Sequence, residues 1–284
     1  MGFSINAAIF QGTEILREAG IAEARREAGS LLAHVLGRDR SFVIMHADDL
    51  LTSEQTQTFR SFTARRAKGE PLQYIVGHQE FFKLDFQVTL DVLIPRPETE
   101  IIVETALELL KNESEPFFAD VGTGSGCIAI SLLHGLAEGR GIATDVSAAA
   151  LRVARLNAER HGVSNRLRLI ESDYFSAVDR RRRFSLIASN PPYIAEAEWE
   201  TLPREVRDHE PRSALVSGPD GLADIRCLLD EAPSFLRSHG YFVFEIGFNQ
   251  SASVYRMIER DTWDLLGIRS DLRGIPRTVV LRKK

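Results

Sequence analysis

Apolar positions in the first third of the chain recur at helical spacing. Ile21, Ala24, Ala28, Leu31, Leu32, Val35 and Leu36 fall three or four apart and define one apolar face. Gly37 follows as a C-cap, where a left-handed residue ends a helix. A second helical stretch is expected from near Ser53 to near Gly69. Thr52 or Ser53 supplies its N-cap oxygen, and Glu54 places acid in its first turn, as the helix dipole favours. From Glu70 to Leu90 the pattern changes. Alternating apolar and aromatic residues there read as short strands, a hairpin with Gly77 near its turn. The expected division is a helical bundle over residues 1–72, a β-hairpin linker over 73–92 and a larger domain over 93–284.

In that larger domain strands alternate with helices. Strands are expected at Phe117–Val121, Gly141–Thr144 (ending at Asp145), Leu167–Ile170, Phe184–Ser189, Tyr241–Ile246 and Thr278–Leu281. Helices are expected after Gly126, from Ser147 to about His161, and over Leu222–Leu236. This order predicts an α/β fold with a mostly parallel sheet covered on both faces. Right-handed crossovers then bring the C-terminal ends of the strands, and any ligand site, to one edge.

Composition narrows the class. The 284 residues are 44% hydrophobic and 26% charged, an ordinary balance for a water-exposed domain. No apolar run approaches the roughly 20 residues of a membrane span, and the N-terminus lacks the basic start and apolar core of a secretion signal. Met1-Gly2 does not read as a myristoylation site, because position 6 is Asn6. Two widely separated cysteines, Cys127 and Cys227, are expected as buried thiols of a cytoplasmic protein. The seven histidines show no ligand spacing, so no metal is expected. A net charge of −5 argues against a protein held mainly by duplex phosphates. The run Arg180–Arg183 reads as a solvated loop rather than as an RNA contact, and Trp199 and Trp263 as packing residues.

The first chemical signal is the run Asp120-Val121-Gly122-Thr123-Gly124-Ser125-Gly126, between a strand and a helix. Its G-x-G-x-G spacing is one residue shorter than the dinucleotide fingerprint, which argues against NAD. Alone it fits a ligand-free turn equally well. Context favours a nucleoside. Asp145 ends the next strand, about 20 residues on, where a carboxylate accepts from both ribose hydroxyls. Asp173 and Tyr174 follow the third strand, where the acid suits an adenine amine and the ring its face.

The second signal is Asn190-Pro191-Pro192-Tyr193, after the fourth strand. Two prolines fix the backbone and remove two donors. The Asn190 side-chain oxygen and the Pro191 carbonyl then act as paired acceptors for an NH2 group, and Tyr193 offers an aromatic face for its plane. Holding both N–H bonds frees the lone pair of an otherwise delocalised nitrogen, and alignment with an electrophilic methyl supplies much of the rate. A rigid turn would explain Pro-Pro alone, but not the flanking Asn and Tyr.

With these motifs and Ile94-Pro95-Arg96-Pro97-Glu98-Thr99-Glu100, Glu210-Pro211-Arg212, Asp220-Gly221-Leu222, Glu245-Ile246-Gly247 and Asp271-Leu272-Arg273-Gly274, nearly the whole chain resembles the bacterial peptide chain release factor glutamine N5-methyltransferases. The resemblance implies a seven-stranded class I (Rossmann-like) methyltransferase domain, an N-terminal domain that helps grip the release factor, and S-adenosylmethionine as cofactor with S-adenosylhomocysteine as product. It implies methylation of the glutamine in a Gly-Gly-Gln motif. By it, Asp120, Gly122, Thr123, Gly124, Ser125, Gly126, Asp145, Asp173, Tyr174 and Asn190 hold the cofactor. Asn190, Pro191, Pro192 and Tyr193 hold the glutamine and carry catalysis, while Arg96, Pro97, Glu98 and Thr99 stand near the active-site mouth. Val216-Ser217-Gly218 departs from the family's frequent Gly-Gly pair. A monomer is expected. The alternatives are methylation of adenine N6 or guanine N2 in nucleic acid, methylation of a ribosomal-protein glutamine, and a catalytically silent scaffold. The acidic balance disfavours the first, Arg96-Pro97-Glu98 the second (that sister family typically reads Arg-Ser-Pro), and the intact Asn190–Tyr193 segment the third.

Overall fold

A computed structural model describes residues 3–284, so Met1 and Gly2, where myristoylation was weighed, lie outside the described residues. The chain separates into two compact units, Met1–Gly77 with Pro203–His209, and His78–Leu202 with Glu210–Lys284.

The first unit is helical: α1 (Ile5–Glu18), α2 (Ala24–Leu36), α3 (Arg40–Met45), α4 (Ser53–Ala67) and α5 (Leu72–Val76). The caps are those the sequence offers. Thr52 and Gln55 form a reciprocal capping box on α4, and α2 ends on left-handed Gly37. Leu16, Leu31, Leu32 and Phe59 fill the core. Gly12 lets α1 approach α4, since a Cβ there would lie 2.7 Å from the Phe59 ring. Gly77 caps α5 with φ +79° and is not a hairpin turn residue. Arg66 is buried and donates to Glu27 and to Glu205.

The second unit opens with the hairpin β1 (His78–Phe81) and β2 (Leu84–Gln87). Its two-residue turn is Phe82-Lys83, both left-handed at φ +49° and +62°. The usual Asn-Gly signal for such a turn is missing, which is why the sequence pointed to Gly77 instead. Phe82 N donates to Glu100 Oε1 at 2.8 Å and fixes the turn. Then come α6 (Glu100–Leu110), β3 (Phe117–Val121), α7 (Cys127–Gly135), β4 (Arg140–Asp145), α8 (Ala148–Arg160), β5 (Leu167–Glu171) and β6 (Phe184–Ser189). The helix α9 (Arg204–His209) lies in the stretch assigned to the first unit. The chain finishes with α10 (Ala223–Glu231), β7 (Leu236–Glu245), α11 (Ser251–Met257), β8 (Trp263–Ser270) and β9 (Pro276–Lys283).

The seven strands order as β5-β4-β3-β6-β7-β9-β8. The first five are parallel, and β9 runs antiparallel to both its neighbours. β3 and β6 are adjacent at the centre and the chain winds outward from them both ways, so their C-terminal ends form the switch point where α/β sheets bind ligands. Two apolar clusters, one built around Phe118 and Leu132 and the other around Phe242 and Phe244, form the core of this unit.

Three further points differ from the sequence reading. The helix expected over Leu222–Leu236 stops at Glu231, because Pro233 lacks the amide that would continue it, and Leu236 already starts β7. β8 was not anticipated. Its residues are mostly half-exposed and leave no clean alternation, although Trp263 is buried as expected. Cys227 is exposed, not buried: α10 buries Ile225, Leu228 and Leu229, and Cys227 falls off that stripe. No helix among the described residues is long and apolar enough to cross a membrane.

Candidate active site

The glycine loop leaves the C-terminal end of β3 and reverses within five residues. Gly122, Gly124 and Gly126 all have positive φ. The Gly122 and Thr123 amides both donate to the Thr144 carbonyl at 2.9 Å, which ties the loop to β4. Gly126 is the tightest point, where a Cβ would lie 2.9 Å from Ile130 and 3.3 Å from Ala154.

Two acids hold this loop in different ways. Asp120 is fully buried beneath it, and its Oδ2 accepts from Thr123 Oγ1 at 2.6 Å and from the Ala129 amide at 3.2 Å. Burial pushes its carboxyl up to about 7 against the lowering effect of those bonds. Asp145 stands at the end of β4. It accepts from Gly124 N and Ser147 N, both at 2.9 Å, and burial also raises it. A carboxylate with one edge of each oxygen spent on backbone amides keeps lone pairs for further donors.

Beyond β5, Tyr174 sits at φ +45°, an unusual left-handed backbone for a bulky residue. Its hydroxyl donates to Asp224 Oδ1 at 2.7 Å, and Ser217 Oγ donates to the other oxygen of Asp224. Burial, then the Asp224 bond, raises the phenol above its ordinary range. The ring is thereby pinned between the β5 end and α10.

β6 is buried along its whole length and runs into Asn190 just beyond its last residue, Ser189. Asn190 Nδ2 donates to Thr99 Oγ1 at 3.0 Å, Thr99 Oγ1 donates to Glu245 Oε2 at 2.6 Å, and Tyr193 Oη donates to Glu245 Oε1 at 3.2 Å. Thr99 and Glu245 are almost wholly buried, and Asn190 Oδ1 is buried with no hydrogen-bond partner among the described residues. Burial lifts the Glu245 carboxyl to about 7 and, with Glu245 beside it, raises the Tyr193 phenol. The turn after Asn190 is fastened from behind. Gln250 Nε2 donates to the Tyr193 carbonyl at 2.8 Å, and Gly221 packs so closely that a Cβ would fall 2.4 Å from that oxygen. Arg96 donates to the buried Glu210, whose other oxygen accepts from Ile94 N at 3.3 Å.

These elements enclose a cavity of about 330 Å³. Gly122, Thr123, Gly124, Ser125, Asp145, Asp173, Tyr174, Asn190, Pro191, Pro192 and Arg96 line it, so most of the residues singled out in the sequence converge there. Asp120, Gly126, Tyr193 and Glu98 are not among the lining residues. Asp120 and Gly126 shape the loop from beneath, while Tyr193 is drawn back against Gly247 and Glu245. Sequence reasoning missed Asp224, Glu245 and Gln250 as site-building residues. Each uses both polar ends of its side chain from a segment far along the chain, and of the three only Glu245 sat in a segment the resemblance had marked. The four arginines 180–183 are exposed, with Arg181 paired to Asp179 and Arg182 over the Phe117 ring at 5.7 Å.

A doubly wound sheet of this order, with a glycine loop, an acid at the next strand end and Asn-Pro-Pro-Tyr at the switch point, defines a class I methyltransferase. Among solved structures, the hMettl16 catalytic domain is similar in fold at a TM-score of 0.57, with 16% identity, covering 89% of this chain and 90% of that one. A methyltransferase from Pyrococcus furiosus aligns at 0.51, with 16% identity over 78% of this chain and 98% of its own. Residues 7–77 match the PrmC N-terminal domain and residues 99–206 the methyltransferase small domain. The release factor glutamine methyltransferase of Nitratidesulfovibrio vulgaris is 43% identical over 270 residues, spanning 94% of this chain and 91% of that protein. That of Geobacter sulfurreducens is 42% identical over 93% of this chain and 91% of its own. The chain belongs to the release factor glutamine methyltransferase family.

Proposed function

We propose that the chain transfers a methyl group from S-adenosylmethionine to the side-chain amide nitrogen of the glutamine in the Gly-Gly-Gln motif of peptide chain release factors. The observation that carries this reading is the unpartnered, buried Oδ1 of Asn190 at the lip of the cavity. An orphaned acceptor costs about 1–3 kcal/mol when buried, and an incoming N–H removes that cost. Family membership supplies the substrate class.

The lining fits the cofactor. The Asp145 carboxylate suits a ribose diol, Asp173 an exocyclic amine, and the pinned Tyr174 ring an adenine face. When bound, the sulfonium supplies an electrophilic methyl carbon. Asn190 Oδ1 and the Pro191 carbonyl would accept hydrogen bonds from the two amide N–H groups and so orient the nitrogen lone pair toward the cofactor pocket. Methylation of that nitrogen would release one N–H proton, which would leave to water, so none of these residues need act as a base. Arg96, held by Glu210, faces the chain on either side of the glutamine, and Glu98 stands outside it. The first 72 residues help grip the release factor, with residues 73–92 as the link to the 93–284 catalytic domain. A substrate from the translation apparatus supports a cytoplasmic location, and we read the enzyme as a monomer.

The test is incubation of labelled cofactor with purified release factor, with its Gln→Ala variant, and with a nucleic acid control. Label should enter the native factor alone. Label in the nucleic acid, or equal label in the Gln→Ala variant, would overturn the reading.

A further inference from the structure

An Asn side-chain amide offers an acceptor at one end and a donor at the other, and the two ends have nearly the same shape. A site that must present the oxygen therefore needs something to stop the amide turning over. In this chain that role falls outside the Asn190–Tyr193 segment. Glu245, at the end of β7, accepts on both oxygens: Oε2 from Thr99 and Oε1 from Tyr193. Thr99 has one hydroxyl proton, and at 2.6 Å it is committed to Glu245. Toward Asn190 the Thr99 oxygen can then only accept, so the end of the amide 3.0 Å away must be Nδ2. Oδ1 is left as the free end.

We propose that Glu245 and Thr99 are positioning residues for methyl transfer: through the relay Glu245–Thr99–Asn190 they set which end of the Asn190 amide meets the substrate nitrogen. This rests on reading Asn190 as the acceptor for the glutamine amide. The relay joins residues 99, 190 and 245, which no short motif contains. It explains why a carboxylate is buried behind the site although no step of the reaction uses it as a base. It also accounts for the Thr in Pro95-Arg96-Pro97-Glu98-Thr99, a residue that lines the cavity yet spends its hydroxyl on the protein. A Gln at position 245 breaks the logic, because its own NH2 can donate to Thr99. The freed hydroxyl then donates to Asn190 Oδ1 once the amide has turned over, and a donor faces the substrate donor.

The experiment compares turnover on purified release factor, and cofactor affinity by calorimetry, for Thr99→Val, Thr99→Ser, Glu245→Gln and Asn190→Ala in the full chain. Thr99→Val and Glu245→Gln are expected to lower kcat by about 10–100-fold, with KM for the release factor and affinity for the cofactor each within about three-fold of wild type. Thr99→Ser keeps the hydroxyl and is expected to recover most of the turnover. Wild-type kcat in Thr99→Val, or equal losses in Val and Ser variants, would overturn the relay. So would a parallel fall in cofactor affinity, which would mean a collapsed pocket. Asn190→Ala separates the two ideas. If it alone retains wild-type turnover, the role of Asn190 itself fails. If it is inactive while Thr99→Val is not, only the relay fails.

Discussion

Gly124 and Asp145 lie 21 positions apart and are joined by one hydrogen bond, from the Gly124 amide to Asp145 Oδ2 at 2.9 Å. That bond links the glycine loop after β3 to the end of β4, so the residue proposed as the ribose acceptor also holds the loop proposed to take the cofactor. A contact of this kind makes binding and loop order depend on one carboxylate.

Asp145→Ala is therefore expected to weaken cofactor binding by about 1–3 kcal/mol, through loss of charge-assisted bonds. Asp145→Asn keeps an acceptor oxygen for one amide and is expected to lose less. Calorimetry on both variants decides it. Unchanged affinity in Asp145→Ala would remove the ribose assignment.

The Glu245 carboxyl sits at about 7 in the fold, against an ordinary value of 4.5. Arg277 beside it favours the charged form and Glu98 opposes it, while Arg96 acts on its partner Tyr193. In the window from 4.5 to 7 the folded chain holds this proton more tightly than the unfolded chain. Stability thus falls as pH rises through that window and levels off above it. Asp120, also raised to about 7, from 3.8, acts in the same direction. Activity should run the other way, because only the ionised carboxylate accepts from both Thr99 and Tyr193. Glu245→Gln is expected to raise stability by about 1–3 kcal/mol at pH 8 and by less at pH 5.5, while losing turnover at both. Denaturant melts and initial rates across pH 5.5–8.5 check this. A variant less stable than wild type at pH 8 would contradict it.

Arg66 is 5% exposed and donates to Glu27 and Glu205. Arg66→Ala leaves the Glu27 carboxylate, itself largely buried, without its cation, and should cost about 3 kcal/mol. Arg66→Met fills the volume, and paired with Glu27→Gln it should recover part of that loss. Chemical denaturation of the three proteins measures it. Equal stability of Arg66→Ala and wild type would show the pairing to be neutral.

How much of this was legible in the sequence follows from how local each feature is. The β3–loop–α7 turn, the Ser147 cap and the β6–Asn190 junction depend on neighbours within a few residues, and all stand where the pattern put them. The Phe82-Lys83 turn escaped because two ordinary residues take up left-handed backbone, secured by a hydrogen bond to Glu100, 18 positions on. Glu245 escaped as a site-building group for a similar reason. A single acid at a strand end looks solvated until Thr99 and Tyr193, 146 and 52 positions away, are seen to spend their protons on it. Likewise the sequence placed Tyr193 beside the substrate, whereas its hydroxyl ties it to the wall behind.

The stretch Pro203–His209 clusters with the N-terminal helices although it is strung between two pieces of the sheet unit. The polypeptide therefore passes between the units three times, after Gly77, before Pro203 and after His209. No single scission yields two intact halves. A protease acting after Gly77, or a gene fragment starting at His78, would leave seven residues detached from their neighbours, Glu205 among them. The stretch thus loosened runs straight on in the chain into Glu210, the anchor of Arg96.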